Sequence, residues 1–269
     1  MLTRERQRRT LKETEIEALR VSAVKSHKKC KGKGFLVEMK KGSALVPIEV
    51  AVTCSCLKRF DLRARFILSE IPYRVIHNQQ IYSRTVIDET TGESYSIRKT
   101  VVSPYIKAIR RVIRTPYGLV LLGKNGTGKT FISWKICYYA ILNGFTAHYL
   151  ELPAYLSLLR RGFDEKLDRL ISEISSVDLL VIDEIGNESK RSDFTISEFK
   201  ALLKKRVTLE RPTILISNYG WTQFKEEYGI SIYSVVEANN KILNFAKAPD
   251  VRKARGSAEK ENFFKKLVG

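Results

Sequence analysis

Residues 118–130 read GLVLLGKNGTGKT, an apolar run that ends in a glycine-spaced loop. Gly118–Leu122 has the unbroken apolarity of a strand covered on both faces. Gly123-Lys124-Asn125-Gly126-Thr127-Gly128-Lys129-Thr130 then fits G-x-x-x-x-G-K-[ST] without a mismatch. Gly123, Gly126 and Gly128 free the backbone to turn its N–H groups onto an anion, at the start of a helix whose dipole favours negative charge. Phe131 to Leu142 is apolar and long enough for that helix, and Asn143-Gly144 ends it. Strand, loop and helix together predict a nucleotide phosphate site lined by Gly123, Asn125, Gly126, Thr127 and Gly128. Lys129 reaches the outer phosphates and the Thr130 hydroxyl takes a place on magnesium.

A second apolar strand, DLLVIDE at 178–184, ends in two carboxylates. Asp183 is suited to the magnesium shell and Glu184 to polarising an attacking water. A third, TILIS at 213–217, is followed by Asn218, which can position that water or merely form a turn. With a further strand near 146 and helical stretches between, the expected fold is a three-layer α/β domain around a parallel sheet.

The chain has 269 residues, 43% hydrophobic, and a formal charge of +19. Residues 1–117 carry 25 Lys and Arg against 11 Asp and Glu, a balance of +14, leaving 23 against 18, or +5, for residues 118–269. Such a basic front suits a phosphate backbone, although an acidic protein would also fit. No run approaches the ~20 apolar residues of a spanning helix, so no membrane partner and a cytoplasmic location are expected. Residues 1–29 read as a basic helical arm too thinly apolar to fold alone. GFLVEMKKGSALVPIEVAVTCSC, residues 34–56, reads as a β-hairpin turning at Lys41-Gly42-Ser43. His27, Cys30, Cys54 and Cys56 could close a structural zinc site across it; alternatively, Cys54 and Cys56 alternate along a strand into different environments. Cys137 reads as core.

The order GKNGTGKT, FTAHYLELPAYLSLLRRGF, VDLLVIDEIG and KKRVTLERPTILISNY resembles the helicase-loader and transposition-ATPase group of AAA+ proteins over residues 54–252. The resemblance implies an AAA+ P-loop ATPase domain at 65–252, preceded by the arm and zinc-binding hairpin domain at 1–64 and followed by a basic tail at 253–269. It implies Walker A roles for Lys129 and Thr130, Walker B roles for Asp183 and Glu184, and a sensor role for Asn218. Arg252 resembles a second sensor, or else simply opens the basic tail. The helix pair at about 153–175 resembles the insertion of initiator-type members, which implies single-stranded DNA contacts from Arg160, Arg161, Lys166 or Arg169; a solvated helix face is the alternative.

One departure stands out. Residues 229–236, GISIYSVV, lack the Arg that the family supplies across its subunit interface, and Arg206 is the candidate substitute or a surface charge. The implied function is an ATP-dependent, self-assembling loader of a hexameric replicative helicase. The alternatives are a regulator that binds duplex target DNA and recruits a transposase, and an adaptor that holds ATP without hydrolysing it.

Overall fold

The computed structural model describes residues 35–41, 47–71, 85–160, 165–188 and 192–248, with positions 18, 28, 30 and 31 before them. Two compact units divide after Glu70, as Met1–Glu70 and Ile71–Gly269. In the first, β1 (Phe35–Lys41) and β2 (Pro47–Thr53) pair antiparallel from Phe35↔Thr53 to Lys41↔Pro47, the hairpin expected around Lys41. Helix α1 (Ser55–Leu68) follows at once and runs unbroken past position 64. Its cap, Cys54, has extended backbone and directly follows the last residue of β2, while Cys56 lies in the first helical turn. The two cysteines therefore do not alternate along one strand.

The second unit is built on a seven-stranded sheet in the order β4-β3-β9-β5-β8-β7-β6. Its elements are β3 (Thr85–Asp88), β4 (Ser94–Ser96), a π-helical turn Arg98–Val102, α2 (Ser103–Lys107), α3 (Ile109–Val112), β5 (Gly118–Leu122), α4 (Lys129–Leu142), β6 (Ala147–Glu151), α5 (Leu152–Leu159), α6 (Glu165–Ser176), β7 (Leu179–Ile185), α7 (Asp193–Thr208), β8 (Thr213–Ser217), α8 (Trp221–Asn239) and β9 (Asn240–Asn244). The five strands from β9 to β6 run parallel, and β3 adds antiparallel to β9 with β4 beyond it. The expected parallel sheet is thus present, with β3 and β4 added antiparallel at one edge.

Every residue of β5 and β8 is buried, as continuous apolar strands between helical layers must be. Phe224, Tyr228, Ile232 and Val236 recur every fourth residue along α8 and bury one stripe of it, although Gly229 kinks the helix. They join Val120, Ile182, Leu215, Phe199 and Tyr155 in one core. Cys137 is fully buried on α4, as expected.

The β3–β4 extension is fastened by one carboxylate. Asp88, 2% exposed, accepts from Tyr95 Oη at 2.7 Å and Lys241 Nζ of β9 at 2.7 Å, and also caps the following turn through Thr90 N–H. Burial alone would raise its pKa, but the Lys241 ammonium and the Tyr95 hydroxyl outweigh burial and hold it below the ordinary carboxylate value.

Candidate nucleotide site and thiol cluster

At the carboxyl end of β5 the chain turns through Gly126 and Gly128, with φ of 80° and 93°, into α4. Those left-handed conformations strain any side chain, which is why glycine occupies them. Lys129, 5% exposed, donates to Gly123 O at 2.5 Å, Lys124 O at 2.9 Å and Asn218 Oδ1 at 3.3 Å. The loop lysine and the residue after β8 therefore meet although 89 positions apart.

The two acids are aimed by an irregularity. β7 pairs with β8 at Ile182↔Leu215 and again at Ile185↔Ser217, so two residues on β7 face one on β8. This bulge breaks the alternation that would send consecutive side chains to opposite faces. Glu184 takes a left-handed φ of 59° within it. Asp183 Oδ2 then accepts from Thr130 Oγ1 at 2.7 Å, and its Oδ1 accepts from Glu184 N–H at 2.7 Å. Thr130 and Asp183 present hard oxygen donors in contact with each other, a pair that fits magnesium.

Two residues join the site that sequence reasoning missed. Tyr149 Oη donates to Asp183 Oδ2 at 3.0 Å from the neighbouring β6, where Tyr149 is registered against Val181. Burial first, then the Asp183 charge, raises the Tyr149 phenol pKa far above its usual value, so it stays a proton donor. Asn187 Nδ2 donates to Glu184 Oε2, and its N–H donates to Glu184 O at 3.0 Å. Its only sequence signal is position: three residues beyond Glu184, across Gly186, whose φ of 103° reverses the chain.

Arg206 requires a correction. It is fully buried and cannot be a surface charge or a finger offered to a neighbouring molecule. Its guanidinium donates to Thr213 Oγ1 and to the carbonyls of Ile174, Ser175, Val177 and Pro212, at 2.7–3.2 Å. It ties the end of α6 to the start of β8. The periodic signal was present, because Phe199, Leu202, Leu203 and Arg206 form one buried stripe of α7.

In the first unit, the sulfurs of Cys30, Cys54 and Cys56 lie within 4.8 Å of one another, with Cys30 and Cys56 3.6 Å apart. Zinc with ~2.3 Å bonds in tetrahedral geometry needs sulfurs about 3.8 Å apart, so the donors fit that metal. His27, Arg161, Arg252 and the 253–269 tail lie outside the described residues. Arg160 is exposed; Arg169 pairs with Glu165 at 3.5 Å on α6, which also carries Lys166.

A family profile described as IstB-like ATP binding protein matches residues 94–233, just over half of the chain. This chain belongs to that family. The matched span of this IstB-like ATP-binding chain holds the loop, both acids and Asn218, and its domain has the AAA+ P-loop fold. The replicative helicase loader DnaC of Escherichia coli strain K12 is 27% identical over 128 residues, covering 46% of this chain and 51% of the relative. The loader DnaI of Bacillus subtilis is 26% identical over 115 residues, covering 42% and 37%. An ATP-binding protein of insertion sequence IS1162 from Pseudomonas fluorescens is 33% identical over 75 residues, covering 28% and 32%. The IstB-like chain thus spans about half the length of the DnaC it matches. Among solved structures, a DnaI crystal structure superposes with a TM-score of 0.45 at 20% identity, covering 54% of this chain and 82% of that one.

Proposed function

We propose that this protein is an ATP-dependent loader of a replicative helicase. The observation that carries the reading is the convergence of Lys129, Thr130, Asp183, Glu184 and Asn218 at the strand ends, in a chain whose relatives include helicase loaders. Lys129 exchanges its carbonyl partners for the outer phosphates of ATP. Thr130 and Asp183 hold magnesium, which when bound neutralises charge developing on those phosphates. Glu184 leaves Asn187 and polarises the attacking water, while Asn218 orients it.

Several copies assemble around single-stranded DNA in the cytoplasm, and the first unit, folded about zinc on Cys30, Cys54 and Cys56 with His27 as fourth ligand, grips the helicase. Hydrolysis then times release. Among the described residues no helix is long and apolar enough to cross a membrane. The insertion-sequence relative favours a second reading, in which the same ATPase binds duplex target DNA and recruits a transposase.

The test is a mass measurement of the purified protein mixed with hexameric replicative helicase of its host, with and without ATP. A defined complex that needs residues 1–64 is expected. Absence of any complex, together with ATP-dependent coating of duplex DNA, would transfer the assignment to the transposition reading.

A further inference from the structure

Between Glu93 and Glu151 the sequence has no Asp or Glu, an acid-free span that contains Arg98, Lys99, Lys107, Arg110, Arg111 and Arg114. All six of these cations are exposed. The last three of them lie on and just after α3. Ile109 and Ile113, 2% and 1% exposed, anchor the inner side of α3, and the turn continues through Ile113 N–H to Ile109 O and Arg114 N–H to Arg111 O, each 3.0 Å. At about 100° per residue, Arg110, Arg111 and Arg114 then share an outward arc of roughly 100°. Lys107 precedes them on α2. Among the described residues none of these four forms an ion pair.

Two neighbouring features narrow the occupant. Guanidinium forks match phosphate oxygens in pairs, which suits a repeated phosphate better than scattered carboxylates. Tyr117, 62% exposed, stands three residues beyond Arg114, and its carbonyl accepts from Tyr105 Oη of α2 at 3.4 Å. An exposed ring beside a basic face offers a base something to stack on, which duplex DNA cannot use. By contrast, the sequence of the α5–α6 pair, where DNA contacts were expected, balances Arg160, Arg161, Lys166 and Arg169 with Asp164, Glu165, Asp168 and Glu173.

We propose that the outward face formed by Lys107, Arg110, Arg111 and Arg114, with Tyr117, holds the phosphate backbone of single-stranded DNA. The proposal rests on the DNA-binding ATPase reading and gives that binding a surface separate from the α5–α6 pair.

The experiment is fluorescence anisotropy of labelled oligo-dT and of a duplex against the full chain with ATP and magnesium, over a salt series. At about 0.7 released ions per phosphate, changing all four cations to Gln should lower the slope of log affinity against log salt by ~3, and Arg111→Gln or Arg114→Gln alone by ~0.7. Replacing the three arginines by lysine should keep the slope, while Tyr117→Ala should weaken oligo-dT binding without changing it. Retained affinity for a fluorescent ATP analogue establishes that each variant is folded. Should the four-fold variant misfold, the single variants carry the test. An unchanged slope in folded variants of a protein that binds oligo-dT would overturn this surface and leave the loader reading standing. Loss of helicase capture with DNA binding intact would assign the face to an acidic protein and overturn the proposal. Failure of the unaltered protein to bind either DNA would overturn the DNA-binding reading itself.

Discussion

In the proposed mechanism Lys129 serves binding and Glu184 serves turnover, and their variants should separate the two. Lys129→Ala should abolish nucleotide binding, read by titration with a fluorescent ATP analogue. Glu184→Gln should keep ATP bound while hydrolysis falls by a factor on the order of 10², the scale of a lost general base. Tyr149 acts through Asp183, so Tyr149→Phe should raise the magnesium needed for half-maximal hydrolysis about three- to tenfold, the worth of one hydrogen bond. Nucleotide affinity in the presence of EDTA should not move, which a general loss of structure would not permit. The positions of the loop, both acids and Asn218 were legible in the sequence because each lies at one strand end. Tyr149 was not, because its role comes from β6 lying beside β7, a pairing that the residue's own neighbourhood does not encode.

At the scale of elements, Arg206 and Asp88 each join two segments distant in sequence. Removing the guanidinium takes a donor from four buried carbonyls, of which Pro212 O keeps the Leu180 N–H at 3.4 Å, so Arg206→Met should cost about 3 kcal/mol, measured by urea unfolding. Arg206→Lys should recover only part, because an ammonium cannot span α6 and β8 together. For Asp88, the folded carboxyl titrates below its unfolded value. Its contribution is therefore complete above the ordinary carboxylate range and is lost as pH falls through the folded value. Unfolding of the protein and of Asp88→Asn across pH should differ by about 1–2 kcal/mol above pH ~5 and converge in stronger acid. The long strands were legible from apolar runs; β9 was not. NKILN carries little apolar character and follows a 19-residue helix, and it becomes a strand because β5 offers it a parallel edge.

The whole molecule consists of two units with different sources of stability. The second unit has an extended apolar core, whereas the described core of the first unit is the three thiols with Leu36 against them. Cys54→Ser should lower bound zinc, by metal analysis of purified protein, and melt the first unit while the ATP-analogue affinity of the second stays constant; one zinc per chain is expected in the unaltered protein. The second unit also supplies its own optical reporter. The chain has two tryptophans, and Trp134 on α4 packs edge-on against Tyr149 at 5.6 Å between ring centres. Because Tyr149 is hydrogen-bonded to Asp183, any rearrangement of that carboxylate changes the surroundings of the indole. The other, Trp221, is stacked on Phe224 and Tyr233 of α8. With Trp221 replaced by Phe, the remaining intrinsic fluorescence would follow the arrival and departure of the metal in real time, without a label.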